Sequence, residues 1–595
     1  MNAPERIQAD LNTEAVFEFR PNWGRQQDQL WELYAAVEAN EAYETVKVML
    51  NRLLPSHESD PDVARQVFSL SLLKDILECA GSIWVRDGRI FLAWPNWGGH
   101  LGRRAAQEAM KKSRDLRPLR RDEVDRVAPL FLEGVDGEML STVITEGHFS
   151  LVRASDVHPS GIPYSEAFAA ALRYWSMPYR GRTGRSRRFL LICKHPLIGT
   201  NPVVAGIIEL GDEAPFCTWR DELLGLTTDG FLSWLATVKD KNLLLEHAEQ
   251  TLRDYRGALL PTSCGIDFSK MAAIDIVCQE SELETRAAGR SLASEDDSNA
   301  VLKDQKRVTY ALRFARGEYG LGQLKNGMPP HEAKRHVSQG IRALHDVILP
   351  RVHMEVTICG AVPPFSDALV GKLLVNFFVH PYLLVAPKES EGTLLSWSFD
   401  KDKLDALLPK HGLLAATTKG LYEGHSAIYN RATVPGRDGH PLKLKWLANT
   451  EGNSSTLIST ATSDIAKTVS RLMANSKAEI SQVYGSGGAK RHRLLTQTAT
   501  VTELSRGIVN AAIYRPVYGT KLISNIFETI WLGHKPNWLV DVTRTPDEFD
   551  LVAVRNWRDR WLVRAVDRVQ DYLLCPSLVE FLIEDLTLRG DKVER

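Results

Sequence analysis

Cysteine is sparse in this sequence and never paired in a useful spacing. Cys79, Cys193, Cys217, Cys264, Cys278, Cys359 and Cys575 are scattered, odd in number, and form no CxxC. That excludes a zinc ribbon and argues against a secreted disulfide framework, so a reducing cytoplasm is the expected setting. Long apolar runs are missing too. No stretch of about 18 uncharged apolar residues occurs, which argues against a membrane span. The opening residues MNAPERIQADLNTE carry no apolar signal core. A charge excess of one sign is also absent. With a net charge of −1, the whole chain exerts no strong field, and affinity for a polyanion must come from local patches.

Finished catalytic motifs are lacking as well. His331-Glu332-Ala333-Lys334-Arg335-His336 is not HExxH, because histidines five residues apart stand about 140° apart around a helix and cannot share one zinc. No metal and no cofactor are expected. Gly424-His425-Ser426 lacks the second glycine of a nucleophile elbow, where Ile428 stands. The glycines before Lys490 do not form GxxxxGK[ST]. The strand-like run PVVAGIIELG is not followed by the phosphate loop of an acetyltransferase.

What is present is an ordinary globular balance, 44% apolar and 25% charged, with length enough for two to four domains of about 100–200 residues. Residues 1–145 read as a mainly helical N-terminal domain with a β-hairpin near 83–94, where Asp87-Gly88 separates two β-rich runs. From 146 the texture mixes strands (FSLVRA, RRFLLIC, PVVAGIIELG) with helical stretches at 232–258 and 300–350, the latter broken at Gly327-Met-Pro-Pro. Residues 146–350 and 351–595 read as two parts of one core, the second ending in a helical tail. Without regular βαβ alternation the expected class is α+β: a mixed sheet core with a helical N-terminal domain and a helical C-terminal tail.

Several segments could carry function. Between 167 and 208 there are seven basic residues, Arg173, Arg180, Arg182, Arg185, Arg187, Arg188 and Lys194, and no acid. Gly181 and Gly184 give a turn on which the guanidinium groups could gather around one anion, and arginine suits forked contacts to phosphate. The bland alternative is a solvated basic loop. In CGAVPPFSDALVGKLLVNFF (359–378), Pro363-Pro364 ends a strand and Asp367–Phe378 should be helical; Lys372 either snorkels from an apolar helix or faces a site. The turn LYEGHSAIYNR offers His425, Ser426, Tyr429 and Arg431 at close spacing, with His425 as a general base or phosphate donor, or as an ordinary turn residue. In SQVYGSGGAKRHRLL, three glycines precede Lys490, Arg491 and Arg493, a pattern that presents backbone N–H groups and cations to phosphate. In RNWRDRWLVRAVDRV, Trp557 and Trp561 lie one helical turn apart beside Arg560, Arg564 and Arg568. That face either stacks bases or is a core-facing tryptophan pair with a solvated arginine stripe.

Taken in order, PYRGRTGRSRRFLLI, GIIELGDEAPFCTWRDELLGL, CGAVPPFSDALVGKLL, TTKGLYEGHSAIYNR, VYGSGGAKRHRLL and NWRDRWL resemble the DruA family of the Druantia anti-phage defence systems, over roughly 170–570. The most specific pieces are GAVPPFSDALVGKLL and the turn Gly424, Ser426, Tyr429, Asn430, Arg431. The sequence departs from the family at Val370 and His425, and at Leu226, where the family's RDxxxGW-like piece (here Arg220, Asp221, Gly225) carries tryptophan. The resemblance implies a place in a Druantia-like operon that also encodes a large helicase-like ATPase. Together with the basic segments it leads to an expected role as a DNA-binding or DNA-sensing subunit, with Arg180, Arg182, Arg185, Arg187, Arg188, Arg431, Lys490, Arg491 and Arg493 as nucleic-acid contacts. The alternatives are a nucleic-acid-acting enzyme, either a nuclease or an acetyltransferase-like base-modifying transferase using His425, Ser426 and Tyr429, or a structural adaptor for the helicase. The expected partners are DNA, the helicase-like ATPase and other subunits of the defence system, with no membrane.

Overall fold

Two β-rich runs on either side of residues 87 and 88 pair as an antiparallel hairpin, β1 (Ser82–Arg86) and β2 (Arg89–Ala93), with Arg86 opposite Arg89. The computed structural model describes residues 119–174, 186–211, 217–288, 295–385, 397–419 and 517–583 without a break, and shorter stretches within 48–93 and 433–513. The further strands are β3 (His148–Arg153), β4 (Ser186–Lys194), β5 (Val203–Gly211), β6 (His353–Ala361), β7 (Ala415–Lys419), β8 (Thr433–Pro435), β9 (Pro441–Lys443), β10 (Leu447–Asn449), β11 (Ala512–Ile513) and β12 (Val517–Lys521). Seven of them form one sheet in the order β10-β12-β7-β6-β5-β4-β3. Every neighbouring pair is antiparallel except β6 and β7, which run parallel. The fold is α+β with a mixed sheet.

β5 is an interior strand of this sheet, next to the central β6, and all nine of its residues are buried. A continuous apolar run is what a strand covered on both faces requires. Val203, Ala205, Ile208 and Leu210 point into one core with Trp557 and Phe149. Val204 and Ile207 point into another, against the Tyr164–Ala171 helix. Two register shifts mark this strand. One falls between Leu191 and Ile192 of β4. The other leaves Thr357 as an extra residue on β6, opposite the Glu209–Leu210 step. A bulge of this kind re-aims side chains, and Thr357 Oγ1 here donates to the Glu209 carbonyl oxygen at 3.2 Å.

The C-terminal helix (Pro546–Val569) covers one sheet face. Its start is specified by a capping box: Thr545 Oγ1 accepts from the Glu548 N–H, and the Glu548 carboxylate accepts from the Thr545 N–H, with Pro546 at the first helical position. Phe549, Ala553, Trp557, Trp561, Ala565 and Val569 recur every fourth residue and are all buried. The tryptophan pair is therefore core. Leu132, Val135, Leu140 and Val143, which precede the sheet in sequence, join the same core.

Between β5 and β6 the chain makes a helical lobe with a core of its own. Two of its helices, Glu295–Lys325 and Pro330–Val352, are parted by the break that Gly327-Met-Pro-Pro predicts. They touch backbone to backbone: a Cβ on Gly317 would stand 2.5 Å from the Gly340 Cα. The helical stretch expected at 232–258 is two helices, Thr228–Thr237 and Lys241–Gly257, because Asp240 caps the second by accepting from the Leu243 N–H. The helix expected at 367–378 starts only at Val370, since Leu369 adopts a left-handed φ of 60°.

Candidate functional site

Most residues singled out in the sequence lie outside the described residues. These are Arg180, Arg182, Arg185, His425, Ser426, Tyr429, Arg431, Lys490, Arg491 and Arg493. The points where their segments join the sheet are described. β7 ends at Lys419, opposite Val517, where β12 begins. Val517 in turn lies opposite Asn449, where β10 ends. Neighbouring strands lie about 4.8 Å apart. The segment carrying His425 to Arg431 and the one carrying Lys490 to Arg493 thus attach to the sheet at three adjacent positions.

Arg187 and Arg188 are described, and they do not converge on a common anion. Arg188 Nε donates to Glu209 Oε1 at 2.9 Å, and its guanidinium lies over the Phe168 ring. Glu209 is buried on the same side of the sheet. Burial pushes its carboxyl up from the ordinary value, and Arg188, Thr357 and Ser186 pull it part of the way back. Arg187, one residue earlier on the strand and paired with Leu210, faces the opposite side. Arg188 is thus paired with a buried carboxylate of the neighbouring strand.

A cationic cluster forms elsewhere, where three of the quoted segments meet. Trp557 Nε1 donates to the Leu369 carbonyl at 3.3 Å and fixes the start of the Val370–Asn376 helix. Asn376 Oδ1 accepts from the Thr433 N–H at 3.0 Å, two residues after Arg431 in the chain. Arg560 Nη1 donates to Thr433 Oγ1 at 2.6 Å. Around Trp561, 6% exposed, stand Lys372 Nζ at 4.6 Å, Arg560 Cζ at 5.5 Å and Arg564 Cζ at 5.7 Å from the ring centroid. Such contacts are worth about 0.5–1 kcal/mol each at exposed sites. Arg560 and Arg564 are exposed. Among the described residues, neither makes an ion pair, although Asp559 and Asp567 share their helix. The sequence signals for Lys372 and for the arginine stripe were separate, and nothing in the spacing joined them.

β6 and β7 are the parallel pair of this sheet. β6 and β7 are paired from His353–Ala415 to Val356–Thr418, and β6 then runs on to Ala361 beside β5. The Val370–Asn376 helix packs on β5 and β6. Ligands of open sheets containing parallel strands bind outside the carboxyl ends of those strands. Here those ends lead into the segment of Lys372 on one side and that of His425 on the other.

The other arginine of the NWRDRWL segment, Arg558, has a structural task. Arg558 donates from Nε to the Ile144 carbonyl at 3.3 Å and from Nη2 to the Gly147 carbonyl at 2.5 Å, covering the carboxyl end of the Gly137–Glu146 helix. A cation there satisfies orphan carbonyls and the negative helix end.

The RDxxxGW-like piece forms a buried network. Arg220 Nε donates to Asp221 Oδ1 at 2.7 Å, and Arg220 is 0% exposed. His345 Nε2 lies 3.2 Å from Arg220 Nη2 and 3.1 Å from Asp221 Oδ1; its Nδ1 lies 3.3 Å from Asp346 Oδ1. Asp346 is also paired with Arg313. This alternation of charges ties the lobe helices together. His345 carries no sequence signal that could have marked it.

In the lobe, a cavity of about 550 Å³ is bordered by Arg253, Lys270, Met271, Tyr319, Gln323 and Asn326. Among the described residues, no three His, Cys, Asp or Glu side chains gather to hold a metal ion. None of the described helices is long and apolar enough to cross a membrane. No protein-family model, curated protein or solved structure matches the chain.

Proposed function

We propose that this protein is a DNA-contacting or DNA-sensing subunit of a Druantia-like anti-phage defence system, working in the cytoplasm beside a helicase-like ATPase. The defence role rests on the resemblance of the ordered segments to the DruA family. The DNA role rests chiefly on one observation: Lys419, Asn449 and Val517 are adjacent in the sheet, so the segments bearing Arg431 and Lys490–Arg493 spring from one place. Phosphate contacts release counterions, so log affinity should fall linearly with log salt at about 0.9 per contact on duplex DNA. Fluorescence anisotropy with a labelled duplex across a salt series tests this. Replacing Lys490, Arg491 and Arg493 with alanine should flatten the slope by up to about 3. DNA binding that ignores salt, or a variant with an unchanged slope, overturns the reading.

A second reading, an enzyme acting on nucleic acid, draws support from the parallel pairing of β6 and β7, since ligands of open parallel sheets bind beyond the carboxyl ends of the strands. The segment with His425, Ser426 and Tyr429 leaves β7 directly from Lys419. On this reading His425 takes a proton from the attacking group. A His425→Ala variant that keeps full protection against phage removes it.

A further inference from the structure

We infer that the cavity of the helical lobe is a nucleobase-binding pocket, a site independent of the basic segments on which the DNA reading rests.

The cavity, about 550 Å³, lies between three parts of the lobe. The Lys241–Gly257 helix presents Glu249, Arg253 and Arg256 to it, at spacings that put them on one face. The Glu295–Lys325 helix presents Glu318, Tyr319, Gly322 and Gln323. Met271 and Ile274 stand on the segment that closes the third side. Arg256 ties these parts together. Its Nε and Nη2 donate to the Glu318 carboxylate at 2.5 and 3.0 Å, and its Nη1 donates to the Phe268 and Met271 carbonyls at 2.6 and 2.8 Å. Arg256 and Glu318 are both buried, so the floor of the cavity is held rigid before anything enters it. The volume falls within the range of about 300–1,000 Å³ found for small-molecule sites.

Charge then narrows the ligand. Arg253 is paired with Glu249 at 2.6 Å, Arg256 with Glu318, and Lys270 with Asp267 at 3.1 Å. Each charged side chain that borders the cavity therefore has its counter-ion in the protein, and a phosphate or an ammonium group would have to break one of these pairs. The capacity left over is neutral. One N–H of Arg256 Nη2 is spent on Glu318, and the other has no acceptor among the described residues. The Tyr319 hydroxyl and the side-chain amides of Gln323 and Asn326 make no hydrogen bond among the described residues. An amide sets a donor beside an acceptor, the pattern that reads the edge of a base. The faces of a flat ring find apolar contact on Met271, Ile274 and the Tyr319 ring, which an edge contact to His336 holds in place at 5.3 Å between centroids. A polyol would need polar partners on the side where those apolar groups stand. Room comes from Gly322, where a Cβ would meet nothing within 4 Å. The base can arrive as a free nucleoside or as an unpaired position of a strand, and the two sources separate by experiment.

The test compares the wild-type chain with Gly322→Leu and with the Gln323→Ala, Asn326→Ala double variant. The first fills the space and keeps each hydrogen bond; the second keeps the space and removes the amides, so a folding defect in one leaves the other informative. Circular dichroism and the melting temperature in ligand-free buffer establish folding. Each protein is titrated with adenosine, guanosine, cytidine and thymidine by calorimetry, and with a labelled single strand and its duplex by fluorescence anisotropy. If the source is a free nucleoside, wild type binds at least one of them, both variants weaken it by about 5- to 100-fold, and DNA affinity stands. If the source is a strand, the nucleosides give no heat, both variants lower single-strand affinity by about the same factor, and duplex affinity stands. A wild type that binds no nucleoside, with no single-strand affinity that the variants lower, overturns the pocket. So does a nucleoside affinity that neither folded variant changes. Nucleoside binding that persists while duplex binding ignores salt means that the DNA reading alone has failed.

Discussion

His345 Nε2 stands 3.1 Å from Asp221 Oδ1, joining a helix of the lobe to the short helix that follows β5. With Asp346 at Nδ1, both ring nitrogens face carboxylate oxygens, and only an imidazolium donates from both. Burial alone would lower the His345 pKa, but the hydrogen bonds to Asp221 and Asp346 outweigh it and the net direction is up from 6.5.

A histidine raised in the folded state stabilises the protein fully below its unfolded value, and that contribution is lost as pH rises through the folded value. His345→Gln should therefore cost about 1.5–3 kcal/mol near pH 6, the range for hydrogen bonds to charged groups. The gap to wild type should close as pH rises through the raised folded value. Urea melts at several pH values measure it. A gap that stays constant with pH would show that the ring is neutral.

A second buried pair lies under the C-terminal helix. His380 Nε2 is 3.2 Å from Asp550 Oδ1, and the two residues are 0% and 2% exposed. The Tyr382 N–H donates to His380 Nδ1, so in the neutral ring the proton sits on Nε2, toward Asp550. Removing one partner of such a pair costs about 3–5 kcal/mol. Asp550→Ala should show that loss in chemical denaturation, and Asp550→Asn a smaller one. Equal losses would mean that the carboxylate charge is immaterial.

Glycine substitutions in the lobe should split in sign. Gly317→Ala or Gly340→Ala drives a methyl into the facing backbone, at 2.5 and 2.7 Å respectively, and should destabilise by about 1–3 kcal/mol. Gly322→Ala, in the same helix as Gly317, meets nothing within 4 Å and should stabilise by about 0.5–1 kcal/mol. Melting curves of the three variants decide it, and a uniform sign would contradict the helix contact.

Arg558 and its neighbours should separate cleanly. Arg558→Ala removes the hydrogen bonds to Ile144 and Gly147 and should cost about 1–2 kcal/mol in urea melts, whereas Arg555→Ala, at an exposed position of the same helix, should cost much less. Equal losses would show that the contacts to the Gly137–Glu146 helix end contribute nothing.

The parts of this molecule that a reader of the sequence can find are local. The pairing of β1 with β2 follows from two β-rich runs close together in the chain, the β5 run from its unbroken apolar character, and the lobe break from Gly327-Met-Pro-Pro. Boundaries slip where one backbone angle intervenes, as at Leu369. The short helices Pro381–Val385 and Lys401–Leu407 leave no mark that the sequence shows, because short apolar segments carry no clear period. The candidate site was legible only in pieces. Lys372 showed as a lysine in an apolar helix and Arg560 as part of a stripe, and their meeting at one indole depends on tertiary packing across nearly the whole core. The pairing of Arg188 with Glu209 is hidden for the same reason, since Glu209 lies on the next strand.

Gly211, the last residue of β5, is paired with Glu355 near the start of β6. The helical lobe therefore departs from and rejoins two adjacent strands, and topologically it is an oversized hairpin loop. A turn of a few residues could close that gap without disturbing the register. Packing argues the opposite way, since Leu414, Ala415, Ile523, Ile526 and Trp531, all outside the lobe, are buried against it. Severed from the sheet, the lobe would leave an apolar scar, so the two parts should unfold together despite a connectivity that would let them be cloned apart.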